Sequence, residues 1–359
     1  MKATILDYVD WRGDLSFKAS KFNEVDNVVF SMLSYLDFKK TMTNAKSTYP
    51  TLDLAIETFF TEYDYKTYRF GAILPNTIKD LAKKVQKTKR YGQILILDYA
   101  NEIDHEEKTQ FGACAYLLDD STILVCFEGT DDTLCGWYED GYMFVTKETI
   151  AQRKSVLFLE RVAKLFPNKK INVCGHSKGG NLAYYSVMKA SDDIKERIIH
   201  TYNTDGPGLL YDRYEESEYK IIDEKGITIL PNSAIVGSIF EMRGEIRIVQ
   251  SRVKNAYQHD PFELVVLGDK LIRADKFTKS ALNIQKELQK YVFSVKAEDA
   301  KRCMDELYMA LYNDNKRTLL DLKFTDFSII NKLVKLVKTD KDVIKKFVAI
   351  LINNNAFIK

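Results

Sequence analysis

The stretch Ile171–Gly180, which reads Ile-Asn-Val-Cys-Gly-His-Ser-Lys-Gly-Gly, decides the fold predicted for this chain. Its β-forming residues run into the pattern Gly-x-Ser-x-Gly, and residues 181–190 favour a helix because they contain neither proline nor glycine. A serine between a strand and a helix lies in a strained turn, where glycines two residues before and after it avoid clashes. The helix that begins there directs unpaired N–H groups towards a developing oxyanion. The pattern predicts a nucleophile elbow at Ser177, and a glycine-rich turn that only packs a helix on a sheet is the alternative.

The composition is that of a globular protein without a strongly charged surface. The chain has 359 residues, of which 45% are hydrophobic and 29% charged. Its 53 Lys and Arg nearly balance 51 Asp and Glu, which leaves a formal net charge of +2. The charge therefore favours neither a nucleic acid nor an anionic membrane as the partner.

The cysteines and the apolar segments indicate a reduced, cytoplasmic protein. The five cysteines form no CxxC pair and lie mostly in apolar, strand-like sequence, so we expect free thiols and no metal site. The N-terminal residues carry an early acid and lack the apolar core of a signal peptide. No stretch approaches the roughly 18 apolar residues of a membrane span. We expect no transmembrane segment, no metal and no other cofactor, and the sequence identifies no protein partner.

Strand and helix patterns alternate after a mainly helical beginning. Residues 1–90 show apolar residues at helical spacing, above all in 25–35 and 76–85. A helix is predicted at 154–165, and strands are predicted at 110–118, 121–128, before Ser177, and at 200–204, 226–230 and 245–250. Such alternation predicts an α/β fold, with a mostly parallel sheet that is covered by helices on both faces.

The strand patterns stop near residue 275. The segments 277–295, 297–312 and 327–357 are amphipathic and rich in charged residues, which favours helices. We therefore expect one α/β domain over residues 1–275, of which residues 1–90 are mainly helical, and a helical C-terminal region over residues 276–359.

A serine nucleophile needs a base, and the chain contains four histidines: His105, His176, His200 and His259. In enzymes with such an elbow the chain order is serine, acid, histidine, which excludes His105. His176 adjoins the nucleophile, and His200 begins a predicted strand, at the opposite end of the sheet from the site. His259 follows the last predicted strand and is the predicted base. A hydrogen-bonded loop histidine before a proline turn is the alternative.

The acid that would orient the base is predicted at Asp205. It ends the predicted strand 200–204 and precedes a glycine-proline turn that would hold its carboxylate rigidly. The turn after the next strand, Pro231-Asn232-Ser233, contains no carboxylate. Three alternatives stay open: an Asx turn capped by Asp205, Asn232 as a weak orienting group, and Asp260 as a neighbour of the base.

Two backbone N–H groups would complete the site by stabilising an oxyanion. One belongs to Lys178, and the other to Thr130 in the turn 127–132, where Gly129 lets the backbone approach a ligand. An ordinary strand-ending turn is the alternative. The aromatic-rich residues 131–149 would form either a lid over an acyl pocket or a core helix.

Several motifs together resemble known families. Residues 127–130, Phe-Glu-Gly-Thr, are similar to the F-R-G-[ST] oxyanion loop of class 3 lipases, and residues 175–180 to their G-H-S-L-G-G elbow. More closely, the chain resembles a bacterial family of lipase-like α/β-hydrolase proteins, the Mbeg-like family. The motifs that carry this resemblance span about residues 5–265 and are DYVDWRGD at 7–14, GTDD at 129–132, GWYED at 136–140, GHSKGGNLA at 175–183, DGPG at 205–208 and QHDPF at 258–262.

The resemblance implies an α/β-hydrolase fold and places Ser177, His259, Thr130 and Lys178 in the roles of the lipase residues. The lipase acid would fall at Asn232-Ser233, where this chain has no carboxylate. Two further departures, glutamate for the lipase arginine at 128 and lysine for leucine at 178, are expected to change the polarity around the mouth of the site. This change disfavours a long-chain triglyceride.

The sequence therefore predicts a serine hydrolase that cleaves a carboxylic ester or a related acyl compound, either a small molecule or lipid-like. Ser177, His259 and Asp205 would form its catalytic triad. A hydrolase-like scaffold with weak catalysis, which binds a lipid or protein partner through its C-terminal helices, is one alternative. An amide or peptide hydrolase is the other, because the same triad cleaves both bonds.

Overall fold

A seven-stranded sheet forms the centre of the protein, whose computed structural model describes residues 2–45, 48–210 and 213–321, without the side chains at 292 and 293. The strands lie side by side in chain order: β1 (Leu95–Asp104), β2 (Thr109–Asp119), β3 (Thr122–Phe127), β4 (Lys170–His176), β5 (Ile198–Thr204), β6 (Gly226–Pro231) and β7 (Glu245–Val249). The pairs from β1 to β3 are antiparallel and those from β3 to β7 are parallel. A small hairpin follows, with β8 (Val266–Leu267) and β9 (Lys270–Leu271).

The predicted strands correspond to β2 through β7, whereas β1 was not predicted. β1 lies at the edge of the sheet, and its second half is partly or fully exposed. An edge strand that is half exposed lacks the apolar run that marks a buried strand in sequence.

The sequential order of the strands determines which face the crossover helices cover. Right-handed crossovers that all step in one direction along a sheet place their helices on one face. These helices are α6 (Leu134–Tyr142), α7 (Ile150–Leu165), α8 (Lys178–Lys189), α9 (Asp192–Arg197) and α10 (Glu216–Lys225). Helices α7 to α10 share a core with alternate strand residues such as Ile123, Val125 and Ile171.

The opposite face is covered by the N-terminal helices, because no crossover reaches it. They are α1 (Ile5–Arg12), α2 (Glu24–Leu33), α3 (Lys39–Ala45), α4 (Leu52–Glu62) and α5 (Ile78–Gln86). Their core includes the strand residues of the other parity, such as Leu124, Cys126 and Tyr202. The sheet is therefore covered on both faces, as predicted. Each face is built by a different part of the chain.

Helix α2 is fixed to its neighbours by a buried ion pair. Asp26 and Arg90 have fully buried side chains, with 2.5 Å between Arg90 Nη2 and Asp26 Oδ2. The hydroxyls of Tyr8 and Tyr91 donate to Asp26 Oδ1 at 3.0 and 2.7 Å. The early motif that contains Tyr8 thus contributes to the packing of α2 on the sheet.

Two C-terminal helices pack beside the carboxyl edge of the sheet. They are α11 (Lys279–Ser294) and α12 (Ala297–Asn313), which correspond to the helices predicted at 277–295 and 297–312. On α12, Tyr308 and Leu311 contact α6, and on α11 Ile284 and Leu288 contact the loop between β6 and β7. The helix predicted at 327–357 lies outside the described residues. In the described part of the chain, no helix combines the length and the apolar character needed to cross a membrane.

Candidate active site

The turn between β4 and α8 contains Ser177, which has φ 57° and ψ −131°. A positive φ at a residue other than glycine is strained, and such strain is common at functional sites. A Cβ at Gly175 would lie 2.2 Å from the carbonyl carbon of Gly179, and a Cβ at Gly179 would lie 2.2 Å from the carbonyl oxygen of Phe127. The close approach of α8 to the ends of β4 and β3 therefore requires glycine at both positions.

Three of the predicted site residues lie in one line of hydrogen bonds. Ser177 Oγ is 3.1 Å from His259 Nε2, and His259 Nδ1 is 2.8 Å from Asp205 Oδ2. The Asp205 side chain is 4% exposed and the His259 side chain 27%, so the carboxylate is enclosed while the imidazole is partly open to solvent. This arrangement places an imidazole within hydrogen-bond reach of a hydroxyl and a carboxylate on the other side of the imidazole, which is the geometry that activation of a serine requires.

Asp205 is held in place by the backbone around it. It has φ 46°, in the left-handed region that aspartate tolerates better than most residues. Its N–H donates to the carbonyl oxygen of Ile229 at 2.8 Å, which extends the pairing of β5 with β6 by one residue. The Gly237 N–H donates to Asp205 Oδ1 at 3.1 Å. One carboxylate oxygen is thus bonded to the backbone and the other to His259.

The glycine-proline turn after Asp205 packs directly on the nucleophile elbow. Asn203 Oδ1 accepts from the Gly206 N–H at 2.9 Å, and Asn181 Nδ2 donates to the Gly208 carbonyl at 2.7 Å. A Cβ at Gly206 would lie 2.2 Å from the carbonyl oxygen of Ser177. The turn therefore fixes Asp205 relative to Ser177.

The two alternative orienting groups hydrogen-bond elsewhere. Asn232 Oδ1 accepts from Gln258 Nε2 at 3.0 Å, and Asp260 Oδ1 accepts from the Phe262 N–H at 3.0 Å. Burial raises the pKa of Asp260. Within the described residues, neither side chain hydrogen-bonds the His259 ring. Asn232 instead contacts the residue that precedes His259.

The turn after β3 lies against the elbow, and Thr130 is fixed within it. A Cβ at Gly129 would lie 2.7 Å from the carbonyl oxygen of His176. Thr130 Oγ1 donates to Asp140 Oδ2 at 2.6 Å, and burial raises the pKa of Asp140 to about 6. Among the hydrogen bonds of the described residues, neither the Thr130 N–H nor the Lys178 N–H has an acceptor. These are the two N–H groups that the sequence predicts as oxyanion donors.

The Lys178 side chain points into the protein, which corrects the expectation that it changes the polarity of the mouth. It is buried, its Nζ donates to the Gln110 carbonyl at 2.8 Å, and Glu139 Oε2 lies 3.3 Å away. A buried ammonium needs an opposite charge, and α6 supplies it through Glu139. The expectation was wrong because the sequence around Lys178 does not show that Glu139, 39 residues earlier, buries and pairs with its side chain.

Glu128 is also buried, so the second departure from the lipase pattern lies beneath the surface too. Its side chain occupies the space beside Gly112, where a Cβ would lie 1.8 Å from Glu128 Oε2. Burial and the neighbouring Asp131 raise the pKa of Glu128 well above its ordinary value. Neither position therefore supports an argument about the substrate.

Helix α6 is tied to the interior, which favours the core-helix alternative over a lid. Glu139 Oε1 accepts from Thr109 Oγ1 and from the Ala151 N–H, both at 2.8 Å. The Leu134 N–H donates to the Arg317 carbonyl at 2.8 Å. A helix held from both sides in this way is poorly suited to swing away from a site.

Sequence reasoning missed two residues that hold the loop of His259. His176 Nε2 is 3.0 Å from the carbonyl oxygen of His259, and Gln258 Oε1 accepts from the Ser233 N–H at 2.7 Å. Both residues lie in quoted motifs, next to Ser177 and His259, and this adjacency is the signal that could have found them.

The remaining histidines lie away from the site. His200 is an exposed residue of β5. His105 Nδ1 is 3.0 Å from Cys135 Sγ and 3.3 Å from the Tyr308 hydroxyl, at the contact between α6 and α12. All five cysteines lie in the described part of the chain, where they are buried and form no disulfide. Among the described residues, no three His, Cys, Asp or Glu side chains are grouped as a metal site would require.

Solved structures of lipases resemble the chain at low sequence identity. M37 lipase is 15% identical with a TM-score of 0.39, and the match covers 61% of this chain and 70% of that one. The Rhizomucor miehei lipase propeptide complex is 13% identical with a TM-score of 0.36, covering 62% and 67%. Lipase II from Rhizopus niveus is 10% identical with a TM-score of 0.35, covering 59% and 72%. No curated protein matches the sequence significantly.

A family model described as Mbeg1-like matches residues 85–309, which is more than half of the chain. The matched range contains β1 through β9, the elbow and the loop of His259. The predicted α/β fold, with its mostly parallel sheet flanked by helices, is confirmed. The chain belongs to the Mbeg1-like family.

Proposed function

We propose that the protein is a serine hydrolase that cleaves a carboxylic ester or a related acyl compound. The observation that carries this proposal is the line of hydrogen bonds from Ser177 through His259 to Asp205, with distances of 3.1 and 2.8 Å. The same constellation activates a serine hydroxyl on several unrelated folds, so its geometry is a stronger argument than the fold.

In the acylation step, Ser177 Oγ attacks the acyl carbonyl carbon while His259 Nε2 accepts the hydroxyl proton. Asp205, bonded to Nδ1, stabilises the imidazolium that forms. The carbonyl oxygen becomes an oxyanion, and the N–H groups of Lys178 and Thr130 are the donors proposed for it. Collapse of the intermediate breaks the bond to the leaving alcohol, which takes the proton from His259.

In the deacylation step, a water molecule takes the place of the alcohol. His259 removes a proton from this water, and the resulting oxygen nucleophile attacks the acyl-enzyme carbonyl. The second intermediate releases the carboxylic acid, and Ser177 Oγ recovers its proton from His259. The substrate class is an acyl ester, either a small molecule or lipid-like.

Hydrolysis of p-nitrophenyl esters with acyl chains of increasing length tests the proposal, with p-nitroanilides of the same acids as the amide series. We expect wild type to hydrolyse at least one ester, and Ser177→Ala to lower kcat about 1,000-fold or more. Ser186→Ala is the matched control, because its hydroxyl donates to the Ala183 carbonyl at 3.0 Å within α8.

Wild-type rates no higher than those of Ser177→Ala on both series would overturn the proposal and favour a binding scaffold. Faster cleavage of the anilides than of the esters would replace the ester hydrolase with an amide hydrolase.

A further inference from the structure

We propose that His176, the residue before the nucleophile, is a positioning residue for the base. Its ring N–H donates to the main-chain carbonyl of His259 and thereby fixes the loop that carries the catalytic imidazole. This inference rests on the proposed function, because it concerns the same site.

The contact between the two histidines is close and buried. His176 Nε2 lies 3.0 Å from the carbonyl oxygen of His259, and the ring centroids are 4.6 Å apart with an interplanar angle of 35°. His176 is 4% exposed. The His176 ring therefore contacts both the main chain and the side chain of the base.

The acceptor determines the protonation state of His176. A carbonyl oxygen only accepts, so the proton must reside on Nε2, and the neutral ring then has its lone pair on Nδ1. His176 Nδ1 is buried and has no hydrogen-bond partner in the described part of the chain. Burial and the neighbouring His259 hold the pKa of His176 well below its ordinary value. The ring thus stays a neutral donor.

His176 and His259 lie in differently supported parts of the fold, and this difference explains what the contact between them does. His176 ends β4, a strand paired on both sides within the sheet, whereas His259 ends the 3-10 turn Asn255–His259, beyond the last strand of that sheet. Asp205 bonds the imidazole and sets the orientation of the ring. The His176 contact instead sets the position of the backbone, which Asp205 does not bond.

A second anchor acts on the preceding residue from the other side. The Gln258 side chain is buried, and its Nε2 donates to Asn232 Oδ1 at 3.0 Å and to the Val253 carbonyl at 2.7 Å. Gln258 therefore ties the loop to the end of β6, while His176 ties it to the end of β4. Without the His176 anchor the base can shift, and a displacement of about 1 Å costs about 100-fold in rate.

A first test uses wild-type protein and needs no catalysis. With four histidines, the ring nitrogens of a histidine-labelled sample are resolved by long-range ¹H–¹⁵N NMR and assigned by single substitutions. We expect His176 to be neutral with its proton on Nε2 at pH 7. A proton on Nδ1 alone would overturn the proposal, because Nε2 then has nothing to donate.

A second test compares two substitutions of His176 on an ester that wild type hydrolyses. His176→Leu removes the donor, and we expect kcat to fall about 10- to 100-fold while KM stays within about twofold. His176→Gln keeps an N–H donor and is expected to recover most of that loss. His200→Gln, on the exposed part of β5, is the matched control and should behave as wild type.

Full activity of His176→Leu would overturn the proposal, and so would a glutamine variant as impaired as the leucine variant. A loss caused only by general packing would affect both variants alike, which separates positioning from structure.

Amide hydrogen exchange over residues 255–262 provides a readout independent of activity. We expect faster exchange there in His176→Leu than in wild type, with the glutamine variant close to wild type. Unchanged exchange would contradict the anchor. If wild type hydrolyses no ester, the proposed function fails, and the exchange and tautomer results still decide whether His176 holds this loop. If the leucine variant does not fold, the glutamine variant and the wild-type tautomer serve the same purpose.

Discussion

Two neighbouring turns at the carboxyl edge of the sheet serve the same histidine in different ways. The turn after β5 presents Asp205, whose Oδ2 is 2.8 Å from His259 Nδ1. The turn after β6 presents Asn232 and Ser233, which hydrogen-bond the side chain of Gln258. One turn thus supplies a charge to the imidazole, and the other supplies a scaffold to the loop. The comparison teaches that two adjacent turns can divide the work, because one bonds the His259 ring and the other bonds only the loop that carries it.

The largest effect is expected from removing the charge at the first turn. Asp205→Asn keeps the size of the side chain but removes the charge that stabilises the imidazolium, and it favours the wrong ring tautomer. We expect kcat for an ester to fall by about 10,000-fold. Asp260→Asn is the matched control and should stay within a few fold, because an amide oxygen still accepts from the Phe262 N–H. Similar activities of the two variants would remove Asp205 from the triad.

A smaller effect is expected from loosening the second turn. Gln258→Leu removes three hydrogen bonds and leaves the buried Ser233 N–H without its acceptor. We expect the free energy of unfolding to fall by about 2 to 4 kcal/mol, and kcat by about 10- to 100-fold as the base shifts. Urea unfolding and ester hydrolysis measure the two effects. Gln250→Leu, near the surface, is the control. If Gln258→Leu kept both the free energy of unfolding and the kcat of wild type, the second turn would have no scaffolding role.

Moving the carboxylate from the first turn to the second should not restore the activity that Asp205→Asn loses. In an Asp205→Asn background, Asn232→Asp returns a carboxylate to the edge of the sheet, but at a position that faces Gln258. We expect kcat to stay within about threefold of the single variant, because the carboxylate does not reach His259 Nδ1. Recovery of 100-fold or more would show that both turns can orient the base.

The smallest loss of rate relative to wild type is expected at Asp140, a carboxylate near the site that bonds Thr130 rather than His259. Its pKa is raised to about 6 in the folded protein, so its contribution to stability is greatest below the ordinary pKa of aspartate. That contribution is lost as the pH rises through 6. The stability of Asp140→Asn relative to wild type should therefore increase from pH 4 to pH 7, by at most about 3 kcal/mol.

Urea unfolding of both proteins at several pH values measures this difference for Asp140. A difference that is constant with pH would contradict the raised pKa. At neutral pH we expect kcat of Asp140→Asn to stay within a few fold of wild type, because an asparagine oxygen still accepts from Thr130 Oγ1.

Features determined by neighbouring residues could be predicted from the sequence, and features determined by distant partners could not. The strand, glycines and helix around Ser177 are local, and the parallel strands read as apolar segments between turns. The burial of Lys178 depends on Glu139, which lies in a different helix. The acid stayed open at the sequence level because Asp205 and Asn232 both follow strands, and only the fold brings one of them to His259.

The N-terminal helices illustrate the same limit for the fold. Their helical pattern was visible, but the face they cover follows from the sequential strand order, which no local pattern encodes. The contact from His176 to the His259 carbonyl joins residues that are 83 positions apart, and a main-chain acceptor leaves no trace in the sequence.

The central claim, that Ser177 is an activated nucleophile, is tested most directly by labelling wild-type protein with a fluorophosphonate. Mass spectrometry of the digested protein then locates the modified residue. We expect one stoichiometric adduct on Ser177, abolished in Ser177→Ala and slowed strongly in His259→Ala and Asp205→Asn. An unlabelled wild type, under conditions that label a known serine hydrolase, would contradict the claim, as would an adduct on another residue.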